Sequence, residues 1–484
     1  MTAHPEAVAA AQPHGAARKR ATSAVAALLI KELADHLHGR RFFVGAGVCI
    51  LLFALTGFIR LQDLRNAQQE RNAFLQRWSP SVEEQIDRDE AIQVENTRSV
   101  SALSILSVGL EPITPFRFTS TKEGLRFGEA RGARNTIDAL FGYLDLTFVV
   151  GVLLSLLAIA LTFDAICGER SQGTLAVLLS YPVRRSTVLL VKVLSSMIVL
   201  TVCFLPAFFG VMLTTGAVTG NVMNGSHWAL YALLTLLYLL VFVCAGLAVS
   251  SVVRRPADAA LICLAVWVAL VFVAPRAVGI VVNMIHPPTR AVALMLKEDE
   301  LLSQLRSANR RDLQKAFESF LDNASKPTAQ EDFSKARKQA IDDFHDKRRQ
   351  LLARIWDEQD REEAQREKQI ERFSLVTPTA MFNHAAAELS WTGYQQRKHF
   401  IDQSRVYDQQ IGRKLAESRQ SFFAPTGGGR GNAMVTKDDV RPYLIPFEST
   451  WAASRDIVQT TWLPLLMLAM FAAFFFTIGY IGFL

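Results

Sequence analysis

The sequence predicts an all-α polytopic membrane protein, with six transmembrane helices and a large helical extracytoplasmic domain. Three observations lead there. Half of the 484 residues are apolar, only 20% are charged and the mean hydropathy is +0.19, which is too little charge to cover a soluble core of this size. The apolar residues collect in six runs long enough for a bilayer, whose ~30 Å core takes roughly 20 helical residues. Long charge-rich stretches with helical spacing separate some of those runs. A net charge of +7 would suit nucleic acid in a soluble chain; here the basic residues gather at the ends of spans, and no nucleic-acid partner is predicted.

Taken in order, residues 1–41 form a cytoplasmic tail ending in an amphipathic helix. Val25, Leu28, Leu29, Leu33 and Leu37 fall near one stripe between Ser23 and His38, which suits a helix lying in the membrane interface; a poorly ordered leader is the alternative. No small-residue cleavage pattern follows a short apolar core, so a cleaved signal peptide is not expected. Span 1 runs from Phe42 to Ile59, and residues 60–145 make an extracytoplasmic segment. Residues 146–285 hold spans 2 to 5: Leu146 to Phe163, Val193 to Leu213, Trp228 to Val253, and Ala259 to Ile285 with an interruption at Pro275-Arg276. Residues 286–457 form a second extracytoplasmic domain, and residues 458–484 form span 6. Uncharged runs of this length satisfy their own backbone in a bilayer only as helices.

The short loops set the orientation. Arg18, Lys19, Arg20, Lys31, Arg40 and Arg41 precede span 1; Arg170, Arg184 and Arg185 follow span 2; Arg254 and Arg255 follow span 4. Thr214 to His227 carries no lysine or arginine. The positive-inside rule therefore puts both termini in the cytoplasm.

Within the second outer domain, Arg290 to Leu321 has leucines and Phe317 at helical spacing. Asn323 to Pro327 breaks that helix, and Thr328 with Glu331 reads as a capping box opening another, which reaches about Arg372, roughly 65 Å at 1.5 Å per residue. Two antiparallel helices sharing a seam are expected, either as a solvated pair or as an arm touching an envelope partner. Gly427-Gly428-Gly429 with Arg430-Gly431 reads as a flexible loop, because no Lys-Ser/Thr follows it.

Motifs missing from the sequence narrow the function. No G-x-x-x-x-G-K-[ST], H-E-x-x-H or G-x-S-x-G occurs, so neither an ATP-binding P-loop nor a catalytic constellation is predicted in this chain. Cys49, Cys167, Cys203, Cys244 and Cys263 lie in or just beyond apolar runs, which argues against disulfides and zinc. The histidines are scattered; His36/His38 and His384/His399 miss ligand spacing, and no metal site is predicted. The spans hold almost no ionisable groups beyond Arg276, which argues against an ion-coupled carrier.

The most specific stretch follows span 2 and forms a loop over residues 164–192. Asp164, Glu169 and Arg170 lead to a Gly173 turn, then to a short amphipathic helix from Thr174 to Ser180 carrying Leu175, Leu178 and Leu179, stopped by Pro182. A short helix across the cytoplasmic mouth, joined to two spans, is a lever that another protein can push. An ordinary basic loop would explain the arginines, but not Gly-Thr-Leu, the paired leucines and the proline at their spacing.

This pattern resembles the membrane subunit of ABC transporters of the type-2 exporter class. In that family an acidic-Glu-Arg-x-x-Gly-Thr-Leu-x-x-Leu-Leu-x-x-Pro stretch follows span 2, and a lysine opens span 3. Glu169, Arg170, Gly173, Thr174, Leu175, Leu178, Leu179, Pro182 and Lys192 match it, and Lys31-Glu32-Leu33 matches the Lys-Glu-Leu that leads into span 1. Thr377-Pro378, Ala385 to Leu389, Thr392-Gly393 and His399-Phe400 resemble a branch with a large helical insert before the last span, although that branch shows Ser-Pro and Gly-Thr where this chain has Thr-Pro and Thr-Gly.

The resemblance implies a permease subunit, not itself an enzyme, that couples ATP hydrolysis by a separate ABC ATP-binding subunit to export. ATP and Mg²⁺ would be bound by that partner, with no cofactor in this chain. It further implies a second permease copy or a related permease, a bacterial cytoplasmic (inner) membrane, and a path lined by spans 1, 2 and 5 suited to lipid-like, peptide or other hydrophobic cargo. Two alternatives stay open: a mechanotransmission complex acting on an envelope partner, and a non-transporting membrane scaffold.

Overall fold

The computed structural model describes residues 14–87, 93–121, 124–128, 143–180, 184–219, 225–285, 287, 291–323, 328–422, 446–451 and 454–484. Helices dominate. Among the described residues six are long and apolar enough to cross a membrane: Phe42–Trp78, Leu146–Ser171, Arg185–Thr219, Gly225–Val252, Pro256–Ile285 and Ile457–Phe483. The chain is an all-α polytopic membrane protein. The bundle has two dissimilar ends. The basal end carries helix α1 and two short helices; the apical end carries a small sheet and the long polar helices.

Helix α1 (His14–His38) begins nine residues earlier than the leucine stripe suggests and packs along span 3. Its buried face centres on Glu32 and Leu28 rather than on Leu37, which is exposed. Helix α2 (Arg40–Asp87) contains span 1 but does not stop at Ile59. Leu64, Ala67 and Trp78 continue a buried stripe at spacings near 3.6, and neither Gly nor Pro interrupts residues 58–79, so the backbone has no reason to turn at Arg60. Arg60 itself is buried, donating from Nε to the Leu144 carbonyl at 2.8 Å and pairing with Asp63 at 3.0 Å.

A three-stranded antiparallel sheet follows, which the helical periodicity does not anticipate: β1 (Val94–Thr97), β2 (Arg117–Thr121) and β3 (Gly124–Phe127). Phe118 pairs with Asn96 on one side and Phe127 on the other, and its ring meets Phe400, Tyr407 and Phe447 edge-on.

Span 2 is helix α3, made of Leu146–Phe148, a π-helical turn at Val149–Leu154, and Ser155–Thr162. Asp145 caps it, accepting from the Phe148 amide at 2.7 Å. The π turn offers the Gly151 carbonyl to both Ser155 Oγ (2.6 Å) and Tyr238 Oη (2.9 Å). The short helices α4 (Cys167–Ser171) and α5 (Thr174–Ser180) lead to span 3, helix α6 (Arg185–Thr219). Span 4 is helix α7 (Gly225–Val252). Span 5 is helix α8, whose Pro256–Val268 and Ala274–Ile285 segments flank a π turn at Ala269–Val273. Pro275 has no N–H to give that turn, so the ladder reorganises there and the helix continues through the interruption.

Helices α9 (Ala291–Asp322) and α10 (Ala329–Ser374) pair along a shared seam, with the rings of Phe317, Phe320 and Phe333 packed edge-on and tilted near their tip. The capping box does not form: Thr328 makes no side-chain cap, and Glu331 instead pairs with Lys335 at 2.8 Å.

The next helix departs from an all-outer domain. Helix α11 (Pro378–Leu389) lies among spans 4, 5 and 6, its N-terminus capped by Thr377 Oγ1 with Pro378 in the first turn. Thr379 reaches Tyr238 at 3.2 Å, and Phe382 stacks on the Tyr238 ring at 4.4 Å. Tyr238 sits midway along α7, so α11 enters the bundle rather than resting on it. Helix α12 (Tyr394–Phe422) returns to the sheet, and α13 (Ser454–Phe483) contains span 6. The Gly427–Gly431 loop lies outside the described residues.

Span 4 is the hub, touching spans 2, 3, 5 and 6 and α11. Its contact with span 2 leaves no room at Gly246: an added Cβ would fall 2.1 Å from Thr162 Oγ1. Gly479 and Gly482 of span 6 play the reciprocal part against Ala248 and Ser251, the small-residue packing that membranes favour. All five cysteines are buried and free.

Gly246→Ala is expected to lower the melting temperature of the detergent-held chain, at a cost of about 1–3 kcal/mol for overpacking. Adding Thr162→Ala removes the clashing oxygen and should recover most of the loss in a double-mutant cycle.

Candidate functional site

The basal loop is built around one ammonium group. Lys192 stands about two turns into α6 and is 3% exposed. Its Nζ donates to Glu32 Oε1 of α1 at 2.9 Å and to Glu169 Oε1 of α4 at 3.1 Å. Lys31, half exposed, adds a second donor to Glu169 Oε1 at 3.4 Å and lies 3.9 Å from both Glu32 and Asp35. Ser195 and Ser196 donate back to the Lys192 carbonyl at 3.0 and 2.9 Å, which orients the turn that carries the lysine. One turn past Glu32, His36 lies 3.4 Å from Ser196 Oγ, and burial lowers its pKa below the ordinary imidazole range. The cations of this cluster are therefore the two lysines.

Helix α4 is pinned from the other side by span 4. Ser250 Oγ accepts from the Ile166 and Cys167 amides at 3.0 and 3.2 Å, capping α4 from another helix. Arg170 turns inward and donates to the Ser251 carbonyl at 3.2 Å. Asp164 sits beside His36 and acts on its charge. The α4 helix then closes with Gly173 at φ +77°, a left-handed position that a Cβ would strain, and the Gly173 amide bonds the Arg170 carbonyl at 3.3 Å. Thr174 Oγ1 donates to the Glu169 carbonyl at 3.3 Å, tying α5 back to α4.

Helix α5 has two faces. Leu175, Leu178 and Leu179 are half-buried against the bundle core. Thr174, Ala176, Val177 and Ser180 face away from it, and Val177 is 62% exposed. The sequence-derived residues thus divide: Glu169, Arg170 and the three leucines hold the loop to the bundle, Asp164 lends its charge to His36, Gly173 shapes the turn, and Thr174 stands on the outward face as well as tying α5 back to α4. Pro182 lies outside the described residues. The sequence-derived set omits Glu32, Ser250 and Ser251. Glu32 gave a signal, being the one acid on the buried stripe of α1; Ser250 and Ser251 gave none beyond their place at the end of span 4.

The model of the ABC-2 family transporter protein matches residues 26–484, from the second half of α1 to the last residue. The chain belongs to the ABC-2 transporter family. No curated protein matches it. The matched range takes in the second half of α1, the basal loop and every described helix that follows. ABC-2 permeases are the membrane component of ABC transporters, generally without an ATPase site of their own.

Removing Lys192 leaves the buried Glu32 and the part-buried Glu169 with only the half-exposed Lys31 as a cation. Lys192→Ala is expected to destabilise the fold by about 3–5 kcal/mol, whereas Lys192→Met with Glu32→Gln and Glu169→Gln should cost far less; thermal melts of the two variants in detergent compare them.

Proposed function

We propose that this ABC-2 permease is the membrane-spanning part of an ATP-driven exporter, with a separate ATP-binding subunit docking on the basal end. The observation that carries the reading is the division of labour in the basal loop. Inward groups bind α4 and α5 to spans 3 and 4 and to α1, while α5 presents a small outward face of Thr174, Ala176, Val177 and Ser180. Force applied to that face has a rigid path into the bundle. Glu169 Oε2 is buried and has no hydrogen-bond partner among the described residues.

In this reading the basal end faces the cytoplasm with both termini, as the arginine distribution supports, and the membrane is the inner membrane of a bacterium. ATP and Mg²⁺ belong to the partner. ATP performs work because the two conformations of the permease bind the closed and open ATPase dimer differently. Spans 1, 5 and 6 leave most of their side chains uncovered, which supports a second permease copy beside lipid. An apolar lining from spans 1, 2 and 5 suits lipid-like, peptide or other hydrophobic cargo.

A second reading is favoured by α10 and α11. Helix α10 runs 46 residues, about 69 Å, and its base turns directly into α11 among spans 4, 5 and 6. Motion of the bundle would swing that arm, so the complex could transmit force to an envelope partner. ATPase activity with no cargo accumulation in vesicles would select this reading over export.

The test is a pull-down of the nanodisc-held chain with its co-expressed ATP-binding subunit, followed by an ATPase assay. Val177→Glu should weaken association at least tenfold, a loss of about 1.4 kcal/mol, with an unchanged melting temperature. Arg170→Ala should keep the association and lose the permease's effect on ATPase rate. No association of the wild-type chain would leave a non-transporting scaffold.

A further inference from the structure

Apart from the basal loop, one other cluster of chemically capable side chains stands out, at the base of the arm. Glu367 on α10 meets His384 and Glu388 on α11, and their ligand atoms all lie within 4.8 Å of one another. His384 Nε2 is 2.9 Å from Glu367 Oε1. Glu388 is almost wholly buried, its Oε1 accepting from the Tyr394 amide at 2.8 Å. The chain wraps it closely: a Cβ on Gly393 would fall 2.4 Å from the Glu388 carboxyl, so this carboxylate is held in place by backbone on one side. The neighbouring turn puts Trp391 at φ 54°, a strained position for a bulky residue.

The charge balance of the cluster is unusual. The largest charges acting on Glu388 are those of His384 and Glu367, and the largest on His384 are those of Glu367, Glu388 and Glu371. Arg397, the nearest cation on α12, is engaged by Glu363 at 2.7 and 3.3 Å. Two carboxylates and one imidazole therefore share a largely buried space with at most one proton-derived positive charge.

We propose that Glu367, His384 and Glu388 bind a divalent transition cation of the zinc class, which joins the arm helix α10 to the inserted helix α11. One imidazole nitrogen with two carboxylate oxygens suits zinc and its neighbours better than magnesium or calcium, which prefer all-oxygen shells. Bonds of 2.0–2.2 Å in a tetrahedral site put donors about 3.3–3.6 Å apart, so the present separations close around an ion with small rotations of the Glu367 and His384 side chains. Both are partly exposed, which leaves an approach for the ion and a fourth position for water. The Tyr394 amide, bonded to Glu388, supplies the outer support that metal-binding carboxylates take. The cation replaces the His384–Glu367 hydrogen bond with a bond network that neutralises both acids.

The experiment uses the full chain without a histidine tag, in nanodiscs, dialysed against Zn²⁺, Co²⁺ or Mg²⁺. Expected are one Zn²⁺ per chain by elemental analysis, visible ligand-field bands with Co²⁺, and a raised melting temperature with Zn²⁺ but not Mg²⁺. His384→Gln and Glu367→Gln should each lower Zn²⁺ affinity at least tenfold, while Glu363→Gln, outside the cluster, should leave it unchanged. Stoichiometry near zero in the wild-type chain, equal binding in the cluster variants, or an equal thermal shift with Mg²⁺ overturns the proposal. If either cluster variant fails to fold, the wild-type Co²⁺ spectrum decides alone: absence of the bands overturns the assignment.

Discussion

The ion pairs of Lys192 govern the basal end. An ammonium this deeply buried would cost several kcal/mol alone, and it is retained only where carboxylates meet it with good geometry. Glu32 and Glu169 supply them from two different elements, so α1 and α4 are held at span 3 by a charge requirement as well as by apolar contact. Fixing α4 fixes its neighbours. Its first amides face Ser250 and Arg170 reaches Ser251, so span 4 joins the same cluster; Gly173 then sets where α5 lies. Separating α1 or α4 from span 3 exposes a buried charge, which holds these three elements together.

Span 4 extends that constraint through the bundle. Ser250 and Ser251 hold α4 at its basal end, while His227 at its apical end takes the Leu389 carbonyl of α11 at 2.9 Å. Between them, Gly246 sits against span 2, and Gly479 and Gly482 bring span 6 into contact. Contacts of this closeness allow little sliding, because each displacement puts a backbone or hydroxyl atom into its neighbour. The inserted helix α11 is thus attached to the same element that carries the basal loop.

What the sequence made legible, and what it did not, follows from the range of each interaction. Span positions, the Thr174–Ser180 helix and the α9–α10 pair are read from patterns within a few turns of chain, and they appear where local hydrophobicity and turn residues place them. The continuation of α2 past Ile59 was also written locally, in Leu64, Ala67 and Trp78, but a charged residue at position 60 looks like a boundary until Leu144 is known to receive it. The Lys192 cluster was half legible. Glu169 and Lys192 stand out by type, but Glu32 is 160 residues away from its partner and only packing joins them. The inserted α11 is compositionally mild, and its burial depends on Tyr238 and on spans 5 and 6. His384 looked isolated beside His399, since its neighbours Glu367 and Glu388 lie on another helix and one turn along its own.

These arrangements imply how displacement of the basal loop would travel. Span 4 is 28 residues, about 42 Å, and its hydrogen-bond ladder is unbroken, so it transmits a push as tilt rather than as bending. The neighbouring spans differ. Spans 2 and 5 each contain a π turn, at Val149–Leu154 and Ala269–Val273, where the regular ladder is already interrupted and side chains such as Tyr238 share the released carbonyl. Tilting span 4 against them would concentrate the change at those two turns, both of which lie beside α11. The rigid element joins the loop to the inserted helix, and the compliant turns lie where that helix meets the bundle. A displacement begun at Glu169 would therefore emerge at the root of the arm, some 40 Å away along span 4.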